Sequence, residues 1–146
     1  ADLEAQFEFL VKVREDLSAI HRSIKQIRAT RDAIKRVSGG DAAIKTAGDS
    51  LVRSMTAIEE ALYQTKNQSG QDPLNYPIKL NNRLSALASS VGSAEARPTD
   101  QAVAVYAMLK PLIAEQLEMW KTIKETDIPS FNQLVASKNI PAVKLD

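Results

Sequence analysis

Apolar residues fall on a seven-residue repeat through the first 37 positions of the chain. Leu3, Leu10, Leu17 and Ile24 make one series, and Val13, Ile20, Ile27 and Ile34 make a second, offset by three. Alternating steps of three and four hold one narrow seam on one side of a helix. Gln6 and Arg31 occupy seam positions and break it, and Phe7 is expected to fill the end that Gln6 leaves open. A helix of about 35 residues is roughly 50 Å long at 1.5 Å per residue. That is too long for a compact globule to wrap, so the pattern predicts one stave of an elongated bundle.

Ser38-Gly39-Gly40 ends this helix, glycine supplying the left-handed conformation that a helix C-terminus favours. Asp41 stands where an N-cap belongs, and Ile44, Leu51 and Ile58 then repeat at seven, with Met55 and Leu62 between them. So short a link forces the two helices antiparallel. Residues 1–66 therefore read as a helical hairpin in which Leu17, Ile20, Ile24 and Ile27 pack on Leu51, Met55 and Ile58. Residues 67–73 are a loop. The third helix starts at Pro73, capped by Asp72, or at Pro77, and carries Leu80, Leu84, Leu87 and Val91.

After a loop over 92–98, Thr99 or Asp100 caps a fourth helix running to about Thr126. Its apolar side is Ala102, Tyr106, Leu109, Ile113, Trp120 and Ile123, widened by Val105, Leu112 and Leu117. Pro111 removes one backbone hydrogen bond and predicts a kink near Ala107. Ile128-Pro129-Ser130 marks a bend or a restart, followed by Phe131, Leu134 and Val135, and Pro141 ends helix formation ahead of the tail 142–146. The second helical pair thus spans 72–127, and the short helix with its tail spans 128–146. No segment alternates as a strand does. The expected fold is all-α: one domain over 1–146, an elongated antiparallel up-down-up-down four-helix bundle with a short fifth helix at the C-terminal end.

Composition narrows the chemistry. At 146 residues the chain can bury a core without staples, and it has no cysteine, which removes disulfides, thiolate metal sites and a cysteine nucleophile. Basic and acidic residues number 19 and 18, so no overall field points to nucleic acid. No run approaches the roughly 20 apolar residues of a membrane span. The opening Ala1-Asp2-Leu3-Glu4 lacks the features of a signal peptide, and a start on Ala rather than Met is expected of an excised or processed segment.

Candidate catalytic groups are few. His21 has no histidine or carboxylate at metal-ligand spacing, and reads as an ordinary residue beside the seam. The carboxylate pairs Glu59–Glu60, Glu115–Glu118 and Glu125–Asp127 read as solvated helix faces with ion pairs one turn away. No catalytic residue, cofactor site or metal site is expected, and the chain is read as a non-enzyme. More informative is the run Arg22, Lys25, Arg28, Arg31, Lys35 and Arg36, which meets a single acid, Asp32. It is expected to pair with other helices or to dock on an acidic neighbour. The absence of interleaved aromatics argues against nucleic acid. Asn75-Tyr76-Pro77 joins a polar turn, an amphipathic ring and a rigid backbone at a helix start, and is expected either to cap the bundle end or to touch a partner.

The segment Asp72-Pro73-Leu74-Asn75-Tyr76-Pro77-Ile78-Lys79-Leu80-Asn81-Asn82-Arg83-Leu84 resembles the C-terminal helical region of large secreted bacterial BNR-repeat glycosyl hydrolases and sortilin-like β-propeller proteins. Phe9–Arg28, Ser93–Thr99, Ile128–Leu134 and Ile140–Val143 are similar to other parts of that region, so the resemblance spans nearly the whole chain. None of these segments is a catalytic signature, and Pro111 departs from the family pattern. The resemblance implies export to the periplasm, cell envelope or exterior. It also implies a non-catalytic accessory role, in assembly, spacing or docking to the parent β-propeller or another protein. The residues alone leave a second reading open. In it the chain is an independent bundle that binds an anionic polymer or surface through the basic first helix, or an apolar ligand between helices.

Overall fold

The computed structural model describes residues 1–63, 79–93 and 96–138, and these are built from helices. In chain order they are α1 (Asp2–Val37), α2 (Ala42–Leu62), α3 (Leu80–Gly92), α4 (Asp100–Thr122), a π-helical turn (Ile123–Asp127) and α5 (Ile128–Ser137). The chain is all-α, with the four main helices and the short fifth that were expected in an elongated bundle. α2 and α3 both run against α1 and α4 runs with it, so the staves go up, down, down, up rather than up-down-up-down. Among the described residues there is no strand.

Long-range contacts fix how the staves lie. α2 covers the C-terminal half of α1, with Arg28 and Arg31 meeting Glu59 and a Cβ at Gly48 falling against Ile34. α3 takes the N-terminal half. Gln6 Nε2 donates to the Val91 carbonyl at 2.8 Å, and Leu10 lies beside Gly92. α4 runs alongside α1 in the same sense, Tyr106 meeting Phe9 and Trp120 meeting Gln26. α2 and α3 therefore share the length of α1 between them. Lys138, just past α5, reaches the N-cap of α2 at Asp41.

The core is a single apolar cluster. It joins Val13, Ile20, Ile24, Ile27 and Ile34 of α1 to Met55, Ile58 and Leu62 of α2, Leu84 of α3, Leu109, Ile113 and Trp120 of α4, and Ile128 and Val135 of α5. At the N-terminal end the seam departs from the repeat. Leu3 and Phe7 are 63% and 65% exposed, Leu10 and Leu17 are half-buried, and Phe9 takes the interior place. A straight α-helix drifts by about 20° per heptad against a strict seven-residue repeat. Over a helix this long the buried line therefore moves off the first leucine series.

Helix ends agree with the sequence at the polar caps and differ at the glycines. Asp41 accepts from the backbone N–H groups of Ala43 (2.9 Å) and Ile44 (3.1 Å), and Thr99 accepts from that of Ala102 (3.1 Å). Gly39 and Gly40 do not adopt a left-handed conformation, and Ser38 closes α1 at φ −88°. The glycine that matters is Gly48. A Cβ there would overlap Ser38 Oγ and come to 3.1 Å from Ile34 Cγ2, so its absence lets α2 close on α1 beside the turn. α2 ends at an extended Tyr63 rather than near 66, and α3 begins at Leu80 after an extended Lys79. The proposed starts at Pro73 and Pro77, the loop around them and the tail 142–146 lie outside the described residues. α4 continues as helix through Pro111.

Candidate functional site

The six basic residues of the run from Arg22 to Arg36 in α1 do not act together. Arg31 points inward: its Nη1 donates to Glu59 Oε1 at 2.9 Å and to Thr56 Oγ1 at 3.0 Å, and its side chain is 17% exposed. Arg28 Nε donates to the other carboxylate oxygen, and its guanidinium lies 5.6 Å from the Tyr63 ring centroid. Arg22, Lys25, Lys35 and Arg36 are exposed and form no ion pair among the described residues. The break that Arg31 makes in the apolar seam is thus filled by a carboxylate from α2. This corrects the reading of Glu59 as a solvated acid. It is buried, because it neighbours Ile58 at the edge of the core and two guanidiniums compensate its charge. Glu60, Glu115, Glu118 and His21 are exposed as expected.

A second polar cluster ties α1 to α4. The Tyr106 hydroxyl donates to Asp16 Oδ2 at 2.5 Å, and Lys110 Nζ donates to Asp16 Oδ1 at 2.7 Å. Phe9 meets the Tyr106 ring edge-on at 5.5 Å between centroids. Burial, and then the hydrogen bond to Asp16, raise the Tyr106 pKa, while the bond to Asp16 raises that of Lys110. Both shifts hold the protonated form. They suit a fixed donor and cation rather than a base poised near neutrality. Beside this cluster lies an open cleft of about 420 Å³ between α1 and the start of α4, lined among others by Lys12, Arg97, Pro98, Val103 and Tyr106. The sequence carried a signal for the cluster that the reading above does not use: Tyr106 and Lys110 stand one turn apart on α4. Near the other end of α4, Trp120 Nε1 donates to Gln26 Oε1 at 3.1 Å.

The apolar side of α4 is wider than its core contact. Leu112, expected to extend the buried face, is 43% exposed, and Met108 and Met119 are 55% and 49% exposed. Half-buried Val105, then Met108, Leu112 and Met119 follow one another at steps of three, four and seven, which places them on one line along the helix.

Among the described residues no group of three or more His, Cys, Asp or Glu side chains could hold a metal ion, and no helix is long and apolar enough to cross a membrane. Asn75, Tyr76 and Pro77 lie outside the described residues. No family model, curated protein or solved structure matches this chain.

Proposed function

We propose that this chain is a non-catalytic interaction module, a helical spacer and docking segment of a larger exported protein. The observation that carries the reading is the line Val105, Met108, Leu112 and Met119 on α4. Single exposed apolar residues are ordinary, whereas Val105, Met108 and Leu112 adjoin one another one turn apart, with Met119 on the same line beyond Glu115 and Gln116, and water solvates such a strip poorly. The places taken by the strongest polar groups support the same reading. Glu59 pairs with Arg31, and Asp16 with Tyr106 and Lys110, between helices, and of these five only Tyr106 lines the open cleft. The likeness of the sequence to the helical region of BNR-repeat and sortilin-like proteins suggests the partner, namely the β-propeller of the same protein, in the periplasm, cell envelope or exterior.

Isothermal titration of the purified chain against the propeller domain encoded in the same reading frame tests the proposal. The reading expects saturable binding, weakened at least tenfold by Leu112→Asp or Met108→Asp, with thermal unfolding unchanged in both variants. Binding that ignores both substitutions, or a reading frame without propeller blades, would overturn it. Reproducible hydrolysis of a fluorogenic glycoside by the chain alone would overturn its non-catalytic part.

A further inference from the structure

The outward face of α1 is electrically divided. In its first half the exposed charges are Asp2, Glu4, Glu8 and Glu15 against Lys12 and Arg14. In its second half Arg22, Lys25, Lys35 and Arg36 stand exposed against Asp32. Asp16, Arg28 and Arg31 bond to residues of other helices and leave this polarity in place. The middle of this face is an open surface formed by Val11, Arg14, Glu15, Ser18 and Arg22, all from α1. Leu3 and Phe7 are exposed at the acidic end, and Ala29 is exposed within the basic half.

We propose that α1 pairs with α1 of a second copy, antiparallel, about a two-fold axis near Ser18. A helix acidic in one half and basic in the other is complementary to itself only when reversed, and a two-fold interface brings the same surface from both partners. With Ser18 on the axis, Glu15 falls beside Arg22 of the second copy, and the Phe7 ring covers Ala29. The open surface meets its own copy, where Arg14 comes level with Arg22 of the second copy and Glu15 stands beside them. Asp32 falls opposite Glu4, where Lys35 and Arg36 flank it. Charge complementarity selects this occupant. A polyanion or an anionic membrane laid along the same face would meet Asp2, Glu4 and Glu8 beside the exposed apolar residues, and so would be repelled where burial is most favourable. The proposal does not depend on the docking role of α4, which uses a different helix.

Analytical ultracentrifugation of the purified chain tests it. A dimer is expected at tens of micromolar, its dissociation constant rising severalfold between 50 and 500 mM salt as the ion pairs are screened. Arg22→Glu with Lys25→Glu should weaken pairing at least tenfold, and so should Glu8→Lys with Glu15→Lys. All four positions are exposed, so circular dichroism should show unchanged helicity. Mixing the two variants should restore a one-to-one dimer, because each then supplies the half that the other lacks. Ser18→Cys, in a chain with no other cysteine, should form a disulfide dimer under mild oxidation, whereas Ser130→Cys should not. A wild-type chain monomeric at several hundred micromolar would overturn the proposal. So would double variants that pair as well as wild type, a mixture that stays monomeric, or heparin binding by a chain that remains monomeric.

Discussion

Arg31 of α1 and Glu59 of α2 meet at 2.9 Å, and each explains the other's position. A guanidinium on an isoleucine seam and a carboxylate that is 3% exposed would each be costly alone. Together with the Thr56 hydroxyl and Arg28 they close the middle of the α1–α2 hairpin. Glu59→Ala should destabilise the chain by about 2–4 kcal/mol, below the usual cost of breaking a buried pair because Arg28 remains half-exposed. Replacing both residues by apolar ones (Arg31→Leu with Glu59→Leu) should cost less than Glu59→Ala alone. Urea unfolding of the two variants checks the order, and equal losses would mean that the pair is not coupled.

The rotated seam makes the leucines of the first repeat unequal. Ile24, 4% exposed, should lose about 2–5 kcal/mol on replacement by alanine, from lost burial and the residual cavity. Leu3 belongs to the same seven-residue series but is 63% exposed. Leu3→Ala should change the unfolding free energy of the monomer by less than about 0.5 kcal/mol. Similar losses at the two positions would place the seam back on the repeat.

Gly48→Ala sets helix propensity against space. Alanine favours the helix by about 1 kcal/mol over glycine, whereas overpacking costs about 1–3 kcal/mol. Ser38 Oγ is held where the new methyl would go, since it donates to the Ile34 carbonyl at 2.5 Å. A net loss of about 1 kcal/mol is expected. Gly48→Ala in a Ser38→Ala background should recover most of it, and thermal denaturation of single and double variants measures the coupling. A stabilising Gly48→Ala in the wild-type background would show that the hairpin can open there without cost.

Tyr106 and Lys110 predict a loss of stability at high pH. Their ordinary values are 10.0 and 10.5, and the fold raises both. A group whose pKa is raised on folding contributes stability in full below its unfolded value and loses it as pH rises through its folded value. The Asp16 cluster should therefore hold to about pH 10 and weaken above it. Tyr106→Phe removes one of the two titrations, so its urea midpoint should fall less than that of wild type between pH 9 and 11.5. Parallel curves would remove Tyr106 from the linkage.

Much of the scaffold can be read from residue order, for definite physical reasons. Asp41 and Thr99 are short polar side chains ahead of apolar periodicity, and both cap as their chemistry requires. Ile20, Ile24 and Ile27 are buried because steps of three and four stay on one helix face over a few turns. What local pattern does not carry is the phase of that face over ten turns, which left Leu3 and Phe7 outside. Nor does it carry the identity of partners far apart in sequence. Glu59 looked like one of two adjacent surface acids until a second helix supplied its arginines, and nothing near Asp16 in the chain announces its partners Tyr106 and Lys110, which lie 90 and 94 residues away.

The π turn between α4 and α5 bears on how this chain tolerates insertions and deletions. The backbone N–H of Ile128 bonds to the carbonyl of Ile123, five residues back. Buried positions step from Trp120 to Ile123, then by five to Ile128, and onward to Phe131 and Val135. Removing one residue, such as Glu125, would turn that five into a four and return the whole segment to an ordinary helical phase with the same side chains inward. By itself that deletion would place Pro129 inside a regular helix, where its ring clashes with the carbonyl four residues earlier at a cost of about 3 kcal/mol. The extra residue and the proline form one unit. A lineage free to drop either should be found to have dropped both, and sequence drift that removes only one should be the rarer event.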